Sequence, residues 1–140
     1  MDGFEVDIEM QINVDAVLSE VTDKTEKALM AVGLEAEGDA KIEIESDPRR
    51  VDTGRLRNSI TWATQSNHDE PSGEGEVREE DRCPNATEPN VVQIGTNVEY
   101  AVYVHEGTRH SDPNRFLRNA VEKNREKYKN IIDDVMKDKL

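Results

Sequence analysis

The chain has one cysteine in 140 residues, Cys83, which excludes an internal disulfide. With no Cys or His beside it in sequence, that thiol cannot build a zinc site by itself, and it reads as an exposed bystander. No run approaches the roughly 20 apolar residues that a membrane span needs. The acidic N-terminal stretch also lacks the basic and apolar regions of a secretion signal, so the expectation is a soluble protein made in the cytoplasm. Aromatic residues are 4% of the total and hydrophobic ones 34%, against 35% charged. A compact core is possible at that composition only if part of the chain stays outside it.

Bases are scarce as well: 18 Lys and Arg stand against 31 Asp and Glu, a net charge of -13. The imbalance is uneven, at -11 for residues 1–48, -5 for 49–112 and +3 for 113–140. Holding nucleic acid tightly takes several cations set against phosphates, so a chain whose only basic segment is one mixed-sign helix is a poor DNA clamp. Three readings of the asymmetry stay open. The basic helix of one copy can lie near the acidic region of the next, the charges can be ordinary solvated faces, or they can keep the protein dispersed in the salty cytoplasm of a halophilic host.

What is present is a clear succession of elements. Phe4 to Ile12 alternates apolar and polar residues and predicts a half-buried strand. Asp15 is a candidate N-cap for a long helix from Ala16 to about Ile44, whose Val17, Val21, Ala28, Val32, Ala36 and Ala40 recur at helical steps. Gly33 and Gly38 each cost about 1 kcal/mol relative to Ala there, which makes Gly33 a candidate break point in the long helix, and Pro48 ends the helix. Ile60 to Thr64 and Val91 to Ile94 predict two paired strands. Between them, about residues 67–90, a segment rich in acids with Pro71, Gly73, Gly75, Pro84 and Pro89 has the composition of a mobile loop. From Asn114 onward Leu117, Val121, Tyr128, Ile131, Ile132 and Val135 predict one closing helix. The expected architecture is α+β, one domain over 1–140. A small, mainly antiparallel sheet of about four strands is covered by the long N-terminal helix and the C-terminal helix.

Catalytic and ligand-binding patterns are weak. His105, Glu106 and His110 crowd together, but a helical zinc peptidase needs two His four apart, and here the spacing is five with Gly107 between. Ser59, His105 and Asp112 form a triad only on paper, because no nucleophile elbow surrounds the serine. The glycine spacings near residues 33–38 and 73–75 fit neither a P-loop nor a dinucleotide fingerprint. His105 and His110 therefore read as exposed turn histidines. No enzyme activity, cofactor or metal is expected.

Three stretches remain. Val51-Asp-Thr-Gly-Arg-Leu-Arg-Asn-Ser-Ile60 reads as a polar turn, with Asp52 or Thr53 capping the helical turn Arg55 to Ser59 and with Leu56 and Ile60 inward. Ile94 to Thr108 contains Tyr100-Ala101 and Glu106-Gly107-Thr108. Its two tyrosines, Tyr100 and Tyr103, are expected to bury their rings, and Gly107 permits a positive backbone angle. Arg115-Phe-Leu-Arg-Asn-Ala-Val121 supplies two core anchors, Phe116 and Leu117, with Arg115 and Arg118 outside.

In this order the three stretches resemble the small neck and tail-completion proteins that join head to tail in long-tailed viruses of bacteria and archaea. The resemblance covers about residues 5–65 and 91–137. Members commonly carry a proline directly before Phe-Leu, whereas here Pro113 precedes Phe116 by three, which leaves the start of the last helix open. The resemblance implies the same α+β fold and a virion structural protein. Copies would form a ring, of six, between the head connector and the tail terminator or tail tube, with viral DNA passing through unspecifically. It also leaves room for the tail terminator itself or another minor tail or capsid component. From another class, the acidity suits a stand-alone interaction module such as a DNA mimic or antitoxin. Candidate subunit contacts are Arg55, Arg57, Tyr100, Glu106, Thr108, Arg115 and Arg118, with acids of the first helix as partners.

Overall fold

A computed structural model describes residues 10–13, 23–47 and 53–137. Central to it is β3 (Val91–Gly95), a five-residue run buried throughout. It is flanked by β1 (Met10–Asn13) and β2 (Thr61–Ala63), both antiparallel to it, so that Ile94 stands opposite Met10 on one side and Trp62 on the other. The described sheet thus has three strands where about four were expected. Burial of the middle strand on both faces explains why it is apolar at all positions but one. Its one polar residue, Gln93, donates from Nε2 to the Pro84 carbonyl at 3.1 Å. The part of the first expected strand before Met10 lies outside the described residues.

Helix α1 (Asp23–Glu45) lies on this sheet and buries Ala28, Val32, Ala36, Ala40 and Ile44, the spacing read from the sequence, together with Leu29. The expected earlier start, with Asp15 as cap, and the stop at Pro48 lie outside the described residues. No break occurs at Gly33. A Cβ there would stand 2.8 Å from the Trp62 side chain and 2.9 Å from that of Val92, so this glycine lets the helix backbone approach the sheet. Leu56 within α2 (Thr53–Ser59) and Ile60 just after it are fully buried, as expected.

The closing helix is two helices, α4 (Phe116–Lys123) and α5 (Arg125–Lys137), parted at Asn124. The Asn124 side chain donates to the Ala120 carbonyl at 2.7 Å, ending α4, while its own carbonyl accepts from Tyr128 N at 3.0 Å and starts the next turn. A single periodic stripe cannot reveal such a break, because both helices bury the same side, including Phe116, Leu117, Tyr128 and Ile132. Both pack on α1. Lys127 pairs with Glu35 at 3.1 Å and Asp39 at 2.9 Å, Lys123 with Glu43 at 2.7 Å, and Tyr128 Oη donates to Asp39 at 2.7 Å. Much of the contrast between acidic first helix and basic last helix is therefore joined within one chain.

The segment whose composition suggested a mobile loop carries several polar anchors to the rest of the domain. Asp69 N donates to the Trp62 carbonyl at 3.0 Å, Ala86 N to the Thr64 carbonyl at 3.2 Å, and Arg82 bridges to Thr96. A 3-10 turn, Glu79–Asp81, delivers Asp81 inward. Cys83, expected to be exposed, is buried, and its amide donates to Thr61 Oγ1 at 2.8 Å. Composition missed this because the anchors are backbone groups, one aspartate and small residues, which carry no hydrophobic period.

Candidate functional site

The first stretch of the sequence places Arg55 on the outer side of α2, against two carboxylates from distant segments. Its Nε and Nη2 donate to Asp81 at 2.8 and 2.9 Å, and its Nη1 and Nη2 donate to Glu99 at 3.1 and 3.2 Å. The guanidinium also lies 5.7 Å from the centre of the Tyr100 ring. Planar two-point pairing of this kind is what guanidinium geometry favours. Hydrogen bonding to Asp81 raises the Arg55 pKa further, and hydrogen bonding from Arg55 holds the Glu99 carboxyl below its usual value. Beside the cluster is a surface hollow of about 400 Å³ lined by Gly54, Arg55, Glu76 and Tyr100. With every guanidinium nitrogen committed to a carboxylate, the hollow offers an incoming anion no free cation.

The second cluster sits where α3 (Ala101–Glu106) hands over to α4. His105 is 2% exposed, not the exposed turn residue expected from sequence. Its Nδ1 lies 2.6 Å from Glu106 Oε2, and its ring meets Phe116 edge-on at 5.2 Å. Burial lowers the His105 pKa, so the ring is neutral near pH 7; Nδ1–H then donates to Glu106 and Nε2 accepts from the Arg118 amide at 3.5 Å. That acceptor matters because Arg115, the N-cap of α4, makes no side-chain capping bond. His105 thus serves one of the unpaired first-turn amides from another helix. The His105 contact in turn lowers the Glu106 pKa, and Arg115 approaches Glu106 at 3.6 Å.

Between the helices the chain turns at Gly107, whose φ of +81° and whose missing Cβ, which would stand 2.8 Å from Pro113 N, make glycine necessary there. Thr108 closes the turn by bridging to Ser111 and accepting from the His110 amide at 3.1 Å. His110 is exposed, as expected.

The seven candidate contact residues therefore do not form one surface. Arg55 and Tyr100 share the first cluster, and Glu106 and Arg115 the second. Arg118 projects outward beside the second, and Thr108 lies in the exposed turn. Arg57 is elsewhere, pairing with Glu45 at 2.9 Å and donating to Asn58 Oδ1 and the Glu74 carbonyl. Tyr100 is partly buried against the core, but Tyr103, expected to bury its ring, is 53% exposed. Residues that sequence reading missed are Asp81 and Glu99, which answer Arg55, and Asn58, whose side-chain amide clasps the carbonyls of Glu74 and Glu76 at 2.8 and 2.9 Å. Nothing local separates Asp81 from Glu79 and Glu80; only its partner does. Among the described residues no group of three or more His, Cys, Asp or Glu is placed to hold a metal ion.

No curated protein and no solved structure matches the chain significantly. A family model described as "Bacteriophage HK97-gp10, putative tail-component" matches residues 8–107. That span contains the Arg55 cluster, the whole described sheet from Met10 onward, and the signature through Gly107. The chain therefore belongs to the HK97-gp10-like family of bacteriophage tail components and is a tail-related structural protein of the virion.

Proposed function

We propose that the protein acts at the head-tail junction as a ring of identical copies, six in number, joining the head connector to the tail and leaving a passage for the genome. The match to a tail-component family over residues 8–107 carries this reading. The geometry supports it in a second way. The conspicuous polar residues of the signature are engaged in internal joints, Arg55 with Asp81 and Glu99, and His105 with Glu106, so the signature builds a shaped surface. On this reading the mechanism is assembly. The net charge of -13 has a use there, since carboxylates facing a passage repel phosphate and let DNA slide. Tight, salt-sensitive DNA binding by the assembled protein in an ion-exchange or gel-shift assay would count against that use.

Electron microscopy of the purified protein tests the ring directly: rings with a central hole are expected, and monodisperse single copies at every concentration would overturn it. The family description, a tail component, equally suits a tail terminator. Pull-down against purified connector and tail-tube proteins separates the two: capture of both supports the neck, and capture of the tube alone supports the terminator.

A further inference from the structure

The acidic segment between β2 and β3 is tied to the domain by several backbone hydrogen bonds. Ser72 N donates to the Asn58 carbonyl at 3.1 Å, the Asn58 side chain grips the Glu74 and Glu76 carbonyls, and Arg57 adds a bond to Glu74 O at 3.2 Å. Gly73 is required by this clasp, because its φ is +136° and a Cβ would fall 2.1 Å from Asn58 Oδ1. At the far end Asp81 is fixed by Arg55. All these bonds hold backbone or the buried Asp81, so the side chains of residues 74–80 are left exposed. Among them are the acids Glu74, Glu76, Glu79 and Glu80, the base Arg78, which pairs with Glu76, and Val77 at 44% exposure. A lone exposed valine needs no explanation. This one lies between Glu76 and Arg78, just before the exposed Glu79 and Glu80, on a segment whose backbone is already tied down by the fold, as a preorganised docking element requires.

The complementary surface is on the same chain. Tyr103 is exposed, and the turn and helix that follow present Arg109 and Arg118, also exposed. Neither arginine side chain has an ion pair among the described residues. Tyrosine and arginine are the residue types that dominate binding energy in protein interfaces.

We infer that the acidic segment of residues 74–80 in one copy docks on the Tyr103, Arg109 and Arg118 surface of the next, with Val77 seated against Tyr103 between the opposed charges. The contact is head-to-tail, joining different surfaces of the two copies, and such contacts form a ring when the rotation between copies closes and an open filament when it does not. It rests on the ring reading above and adds to it the two faces that meet. It also assigns a role to the long segment between the paired strands.

Two full-length variants test it by sedimentation velocity, E79R/E80R and R109E/R118E. All four positions are exposed, so both variants should fold, as checked by circular dichroism and an unchanged melting midpoint. Each variant alone should lose the oligomer peak at a concentration where the unaltered protein assembles, because each then carries like charge on both faces. Mixing the two in equal amounts should restore the peak, since each face again finds its opposite. Variants that assemble as the unaltered protein does, or a mixture that stays monomeric, would overturn this contact while leaving the ring intact. An unaltered protein that never assembles would remove the ring reading and this contact with it.

Discussion

Arg55 and Asp81 are 26 residues apart in sequence, yet form a two-point ion pair at 2.8 and 2.9 Å with Asp81 almost wholly buried. The pair ties α2, which leads into the sheet, to the acidic segment that leaves it. Removing one partner strands a buried charge, which costs more than the pair itself contributes. Arg55→Ala should therefore destabilise the protein by about 3 kcal/mol in chemical denaturation. Arg55→Lys, which keeps the charge but loses the fork, should cost about half of that. Equal stability of Arg55→Ala and the parent would show that the pair is incidental.

The two glycines of α1 should respond oppositely to the same change. Gly38→Ala places a methyl in open space on the solvent side and should stabilise by up to about 1 kcal/mol through helix propensity. Gly33→Ala forces a Cβ to within 2.8 Å of Trp62 and should destabilise by about 1–3 kcal/mol. Thermal melts of the two variants settle the matter; a stabilised Gly33→Ala would contradict the close approach.

Glu37 predicts a loss of stability as the pH rises between about 4.5 and 8. Burial, with the Asp69 carboxyl alongside, pushes its pKa from the usual 4.5 up to about 8, although Lys41 stands 3.2 Å from Oε2; Oε1 has no hydrogen bond among the described residues. Because the folded value is raised, the contribution to stability is fully present below pH 4.5 and is lost as the pH climbs through 8. In Glu37→Gln the fall in unfolding free energy between pH 5 and pH 9 should shrink by about 2–4 kcal/mol. Parallel curves for parent and variant would exclude the effect.

His105 acts in the other direction. Burial lowers its pKa below the ordinary 6.5, so its contribution is present above that value and is lost as the pH falls through the lower, folded value. Glu106 works against this shift by favouring the charged ring. In Glu106→Gln the His105 ring signals in an NMR titration should move at still lower pH, and a move to higher pH would mean that the 2.6 Å contact does not govern the ring.

Much of this fold could be read in the sequence because it depends on local periodicity. The 3–4 spacing of Ala28 to Ile44 predicted the buried side of α1, and the short runs at Ile60 and Val91 predicted the two strands that pair. The same local pattern placed Phe116 and Leu117 in the core and a positive φ at Gly107. These features need only near neighbours. The family, likewise, was legible from the order of three short stretches, each of which constrains a turn or a helix start.

What tertiary structure decided are partnerships between residues far apart. Which of Glu79, Glu80 and Asp81 turns inward depends on where Arg55 waits. His105 is buried because Phe116 and the start of α4 arrive over it, and Cys83 because the acidic segment folds back on Thr61. Gly33 looked like a weak point in a helix until the sheet brought Trp62 against it. A sequence fixes each residue's local preferences, but a charge, a ring or a missing methyl acquires its role from the group opposite it, and only the folded chain supplies that group.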